Sequence, residues 1–401
     1  MQIIRQIAFL KTCVKSLCIL VLILIVSTRH GVGQSLLTME QVAQKVVAKH
    51  PAVLSSGYLI QRAIELKKTS FNPGPLEVEY EKENTAPKAT YNVKQAFRLP
   101  SVYTSQAKLN RQQVRVAAEN KALTISTLAQ DIMLQYIEAQ YLKALMTEYQ
   151  DQDSLYSVFA SASRRQFDAG QIDYLQKVFA ETKAAEVHNV FIKSKAEFAS
   201  AVRQLNALVG DQEFSVTELQ PLAVDADTSS IKNPTVKLFR EAAEFEKRRV
   251  QVEKGRSLPE FFVGIKSSDL NQTTPASFQA GIAIPIWTRQ NKGAIEAVRN
   301  EAEAARFDLQ SRELNAKLHI QEIWGQIIAD KSLLDYYQTS GLIQAEKIIH
   351  TSQRLFKSGQ SDYVSFIRDL SDAFALRVRR IEALRDFNVK VINLEYLTGK
   401  L

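Results

Sequence analysis

Two distant stretches of this chain carry the same ten-residue pattern, and that repetition constrains the fold more than any other feature. Arg165-Gln166-Phe167-Asp168-Ala169-Gly170-Gln171-Ile172-Asp173-Tyr174 and Arg354-Leu355-Phe356-Lys357-Ser358-Gly359-Gln360-Ser361-Asp362-Tyr363 agree at six of ten positions, at an offset of 189 residues. The same offset carries Leu205-Asn206-Ala207-Leu208-Val209-Gly210 onto Leu394-Glu395-Tyr396-Leu397-Thr398-Gly399. Upstream, His50-Pro51-Ala52-Val53 answers Asn233-Pro234-Thr235-Val236, and Leu99-Pro100 answers Ile284-Pro285. Four landmarks in one order indicate a duplicated structural unit. The expected organisation is a first repeat over 34–210, a connecting segment over 211–231 and a second repeat over 232–401.

Residues 1–33 read as a signal peptide. Arg5, Lys11 and Lys15 precede the apolar run Cys18 to Val26, and Gly31-Val32-Gly33 offers small residues for cleavage before Gln34. The run is shorter than a membrane-spanning helix requires. Both cysteines, Cys13 and Cys18, fall in this leader, so the mature chain has no thiol for a disulfide, a metal or nucleophilic catalysis. Removing Arg5, Lys11, Lys15 and Arg29 lowers the basic count from 51 to 47 against 43 acids, an excess of four. The basic balance is therefore largely the leader's and argues for no nucleic-acid partner.

All ten prolines lie between Pro51 and Pro100 or between Pro221 and Pro285. Each proline inside a helix costs roughly 3 kcal/mol, so 101–220 and 286–401 are free to be helical almost throughout. Ile125, Leu128, Ile132, Tyr136, Ala139, Leu142, Leu145 and Tyr149 recur in steps of three or four, a coiled-coil-like seam. Gly170 and Gly359 are the expected reversals, because glycine accepts the left-handed backbone that ends a helix. Asp173 and Asp362 then cap the returning helices. A helix over 102–167 is about 100 Å long, too long for a compact globule. Its return, 172–208, is only about 55 Å, which predicts that the helices 37–70 and 232–256 stack end to end with the returning ones.

The proline-bearing segments alternate instead. Leu76, Val78 and Tyr80 interleave with Glu77, Glu79 and Glu81; Tyr91, Val93, Phe97 and Leu99 interleave with Asn92, Lys94 and Arg98. In the second half, Phe261, Val263 and Ile265 oppose Glu260 and Lys266, and Phe278, Ile282 and Ile284 oppose Ser277 and Gln279. This period of two predicts hairpins over 75–99 and 259–285. Four strands cannot close a barrel alone. Their length approaches the 9–11 residues of a tilted strand crossing a bilayer, and apolar-out, polar-in alternation is what lipid outside and water inside would select. Closure needs copies of the chain, and three copies give twelve strands. Two soluble hairpins lying on a helical bundle are the alternative at this point.

The order of helix, hairpin, long helix, glycine reversal and returning helix, twice over, resembles the TolC-type outer-membrane efflux proteins, in particular their heavy-metal and multidrug branches. The resemblance rests on the two Arg…Phe…Gly…Asp-Tyr reversals, on Phe97-Arg98-Leu99-Pro100, on Gly281-Ile282-Ala283-Ile284-Pro285-Ile286-Trp287 and on the closing Leu394…Tyr396-Leu397-Thr398-Gly399. It implies a mainly α fold with a small β part: a homotrimer with a twelve-stranded outer-membrane barrel continued by an α-helical periplasmic tunnel. The tunnel would dock on a periplasmic adaptor and an inner-membrane pump, with the resistance-nodulation-division type expected. Some relatives place aspartates six and nine residues beyond the second reversal glycine as an acidic ring; Ser365 and Arg368 stand there instead.

On this reading Arg165, Gly170, Gln171, Asp173, Arg354, Gly359, Gln360 and Asp362 form adaptor-docking tips. Glu77, Glu79, Glu81 and Lys94 face the lumen, where acids would tune ion passage. Val78, Val93, Phe261, Val263, Phe278 and Ile282 face lipid, and Tyr80, Tyr91 and Trp287 suit an interfacial aromatic belt. Phe167 and Phe356 are expected to pack. His50, His188, His319 and His350 stand at no ligand spacing, and no phosphate loop or nucleophile elbow occurs. The sequence thus predicts no enzyme, no cofactor and no metal site. The competing classes are a periplasmic adaptor with coiled-coil hairpins, a type I secretion duct and a soluble coiled-coil protein.

Overall fold

In the computed structural model the structure describes residues 35–82, 89–210, 214–224, 232–267, 275–286 and 288–401. The leader with its two cysteines, Trp287 and residues 211–213 and 225–231 of the connecting segment lie outside the described residues. In chain order the elements are β1 (Ser35–Leu37), α1 (Met39–Lys49), α2 (Pro51–Leu66), β2 (Leu76–Lys82), β3 (Ala89–Arg98) and α3 (Pro100–Asp168). Then come α4 (Tyr174–Val209), β4 (Phe214–Val216), α5 (Pro234–Arg256), β5 (Glu260–Ser267) and β6 (Ser277–Ala283). The chain ends with α6 (Thr288–Tyr336), a π turn (Tyr337–Gly341), α7 (Leu342–Lys357) and α8 (Tyr363–Thr398). The molecule is mainly helical.

Helix boundaries follow cap chemistry. Pro100 opens α3 at its first turn and Ala169 closes it, giving 69 residues or about 100 Å. The expected single helix over 37–70 is instead divided: Leu37 belongs to β1, and the chain breaks at His50-Pro51, where proline cannot continue α1. His50 Nδ1 then accepts from Ala52 N at 3.2 Å and caps α2. Asn233 does the same for α5, its Oδ1 accepting from Thr235 N at 2.7 Å. The matching His-Pro and Asn-Pro sequences thus perform matching work. In the second half Gly399, at the end of α8, lies against the Lys232 carbonyl just ahead of α5.

Hydrophobic packing occurs in two blocks. The larger block holds Val42, Ile132, Tyr136, Ile137, Phe214, Ile320, Phe387 and Leu394. At its centre β1 pairs parallel with β4, Ser35 opposite Phe214 and Leu37 opposite Val216. The fully buried Tyr136 fastens this pair from α3, donating to Leu37 O at 2.5 Å and accepting from Thr217 N at 2.9 Å. Asn388 of α8 secures the strap that follows, donating to Gln220 O at 2.8 Å and accepting from Leu222 N at 2.9 Å. The second block, nearer the reversals, unites Tyr156 and Phe159 of α3 with Phe366, Leu370 and Phe374 of α8.

Candidate functional site

The four long strands form one antiparallel sheet in the order β2-β3-β5-β6. Its register sorts the side chains. Val78 stands opposite Val93, Val93 opposite Ile265, and Ile265 opposite Phe278; Phe97, Phe261 and Ile282 make a second ladder. Since cross-strand partners share a face, Val78, Val93, Phe261, Val263, Phe278 and Ile282 lie on one side. Phe278 is 75% and Val78 65% exposed there, an apolar surface uncovered within the chain. The opposite face carries Glu77, Glu79, Glu81 and Lys94. Glu79 Oε2 accepts from Asn92 Nδ2 at 2.8 Å and pairs with Lys94 at 3.5 Å. Among the described residues β2 and β6 each have one partner strand, so both outer edges of the sheet remain open.

Two glycines on the polar face sit where neighbours approach closely, Gly264 against backbone and Gly281 against a side chain. A Cβ on Gly264 would stand 2.7 Å from the Val93 carbonyl oxygen, and one on Gly281 would collide with the Phe262 ring. Phe262 therefore lies across Gly281 and covers the strand backbone where no side chain can. Strand alternation alone does not reveal this, because it assigns Phe262 only to a face.

The reversals are alike at the level of single hydrogen bonds. Gly170 and Gly359 have φ of 70° and 71°. Gln171 N donates to Gln166 O at 2.8 Å, and Gln360 N donates to Leu355 O at 2.9 Å. These are the long closing bonds of a glycine-terminated helix. Asp173 accepts from Gln176 N at 2.8 Å and Asp362 from Ser365 N at 3.0 Å, each capping the returning helix. The Ser365 hydroxyl, followed by its backbone N–H, holds the Asp362 carboxyl below its ordinary range. Ser365, which replaces an acid in the resemblance, thus serves the cap. Arg165, Gln171, Arg354 and Gln360 are exposed around the two turns.

The aromatic residues at the reversals part company. Phe356 stacks on Phe366 at 4.6 Å, and Phe366 meets Phe159 edge-on at 4.3 Å. Phe167 contacts Tyr174 at 5.8 Å and carries Lys177 over its ring at 4.8 Å. Both phenylalanines pack, one in a cluster and one locally.

One charged cluster was not visible in the sequence. Arg377 of α8 reaches Glu148 at 3.1 Å and Asp151 at 3.6 Å on α3, and Glu346 on α7 at 3.9 Å. Glu148 is 5% exposed, and burial pushes its carboxyl above the ordinary value against the opposing pull of Arg377. The only sequence signal was a glutamate beside Tyr149 in an otherwise apolar seam.

No family model matches the chain, and no curated protein does. Solved structures do. CusC, known from crystal structures that follow its folding and transmembrane channel formation, aligns at TM-score 0.76 and 14% identity over 91% of this chain and 92% of its own. The CmeC outer-membrane channel of Campylobacter jejuni aligns at TM-score 0.75 and 11% identity over 90% and 85%. The outer-membrane protein VceC of Vibrio cholerae aligns at TM-score 0.73 and 14% identity over 90% and 95%. The chain has the fold of these outer-membrane channels.

Proposed function

We propose that this protein is an outer-membrane channel of an efflux system, a passive conduit rather than an enzyme. The observation that carries the reading is the two-faced sheet: one side apolar and exposed, the other charged, both edges open. A soluble protein gains nothing from such a surface, and exposed open edges invite pairing. Three copies joined edge to edge close twelve strands, placing Val78, Val93, Phe261, Val263, Phe278 and Ile282 against lipid and Glu77, Glu79, Glu81 and Lys94 around a water-filled lumen. The helices extend about 100 Å into the periplasm and present the Gly170 and Gly359 turns to a periplasmic adaptor and an inner-membrane pump of the resistance-nodulation-division type. The cargo class belongs to the pump. With Ser365 and Arg368 at the positions of the acidic ring, the tunnel mouth lacks that cation filter.

The test is fractionation and gel mobility of the mature protein. The expected result is recovery in the outer-membrane fraction as a trimer that runs intact until heated. Recovery as a soluble monomer refutes the channel.

A further inference from the structure

We propose that the ring where the sheet joins the helices binds anionic phospholipid headgroups. The proposal rests on the membrane reading above and goes beyond it by naming a lipid class. Because the strands are antiparallel, all four strand-to-helix connections fall at one end of the sheet: α2 to β2, β3 to α3, α5 to β5 and β6 to α6.

Three acids at this end are already matched to neighbouring cations: Glu65 to Lys68 at 2.5 Å, Glu253 to Arg256 at 3.1 Å and Glu260 to Arg98 at 2.8 Å. Lys67, Lys254, Arg289 and Lys292 are exposed and carry no ion pair among the described residues. The surplus of four equals the whole excess of residues 34–401, so the rest of that span is neutral in sum. In sequence, the stretches 81–90 and 267–276 that follow β2 and β5 hold three acids and two bases. Among the described residues, unpaired positive charge thus gathers on the helical side of the sheet.

Exposed apolar side chains accompany the cations. Phe71 is 64%, Leu258 37%, Ile284 65% and Ile286 71% exposed. Phe71 is held by a ring contact with Tyr103 at 4.9 Å, and the Tyr103 hydroxyl accepts from Arg98 N at 3.0 Å. Apolar groups level with the end of the strands and lysine or arginine just beyond them match the boundary between acyl chains and headgroups. The charge selects the partner: phosphatidylcholine is neutral overall, whereas phosphatidylglycerol offers a net anion to each unpaired cation. Near an anionic surface each cation strengthens attraction roughly fivefold.

The experiment reconstitutes the mature protein into vesicles of phosphatidylcholine alone and of phosphatidylcholine with an equal share of phosphatidylglycerol. Phospholipids retained after mild detergent extraction are then counted by native mass spectrometry. The expected result is retained phosphatidylglycerol in excess of phosphatidylcholine by on the order of tenfold at low salt, with the excess lost at high salt. It should also be lost in the combined variant Lys67→Gln, Lys254→Gln, Arg289→Gln, Lys292→Gln, and kept in Lys195→Gln, Lys347→Gln on the distant helices. Equal retention of the two lipids by the wild type, or undiminished preference in the fourfold variant, overturns the lipid ring and leaves the channel standing. Failure to insert into either vesicle overturns both.

Discussion

Tyr174 and Tyr363 occupy the same place in the two Gly-Gln motifs, yet Tyr174 is 66% exposed and Tyr363 only 2%. The difference lies in neighbours. Tyr363 begins α8, which packs against α3 and α7, and its ring meets Phe356 at 6.0 Å. Tyr174 begins α4, where Leu175 and Phe179 are exposed as well.

The Tyr363 hydroxyl is buried without a hydrogen-bond partner among the described residues, and burial raises its pKa. An unsatisfied buried polar group costs about 1–3 kcal/mol. Tyr363→Phe is therefore expected to unfold at a higher temperature than the wild type, by an amount equivalent to about 1 kcal/mol, whereas Tyr174→Phe should leave the midpoint unchanged. A lower midpoint for Tyr363→Phe would show that the hydroxyl is bonded in the assembled protein.

Glu148 predicts a pH dependence. Its carboxyl is pushed above the usual 4.5 mainly by burial, so folding favours the protonated form. In the window between the unfolded and the folded pKa the native state binds more protons, and stability falls as pH rises through it. Melting measured from mildly acidic to neutral pH should show that decline in the wild type and a flatter profile in Glu148→Gln. Arg377→Ala is the harsher change, since it leaves Glu148 buried without its guanidinium, and should cost roughly 3–5 kcal/mol at neutral pH. Identical pH profiles for wild type and Glu148→Gln would remove Glu148 as the source.

The elements that local chemistry decides were legible in the sequence. Gly170, Gly359, Asp173 and Asp362 end and restart helices through bonds within a few residues, and the strands kept their alternation because the register is set by which face is apolar. What escaped is non-local. The pairing of Ser35–Leu37 with Phe214–Val216 joins three-residue strands far apart in sequence, too short to show a period. The π turn at Tyr337–Gly341 lies, at the repeat offset, against Glu148–Gln152, which is ordinary α-helix. The Arg377 cluster likewise needed three helices in place before its charges could meet.

The sheet faces give a differential test. Val93 lies between Val78 and Ile265 on the apolar face, and Glu79 lies opposite Asn92 on the polar one. Val93→Arg or Ile282→Arg should destabilise the membrane-inserted protein by roughly 2–4 kcal/mol if the site is near the bilayer midplane. Glu79→Gln should assemble normally and alter only ion conductance in planar bilayers. Equal tolerance on both faces would count against a lipid-facing surface.

The reversal at Gly359 separates assembly from docking. A Cβ there would meet nothing within 4 Å, so the whole cost of a substitution is its φ of +71°. For a β-branched residue this left-handed backbone costs roughly 1–2 kcal/mol, too little to undo the proposed trimer but enough to distort a turn. Gly359→Val should therefore form trimers and insert into the membrane as the wild type does, while adaptor binding and export fall. Gly359→Asn, which tolerates the left-handed conformation, should retain most of both. Surface-plasmon measurement of adaptor affinity distinguishes the outcomes: wild-type affinity in Gly359→Val would remove this turn from the docking end, and equal loss in the Asn variant would trace the effect to side-chain bulk rather than backbone strain.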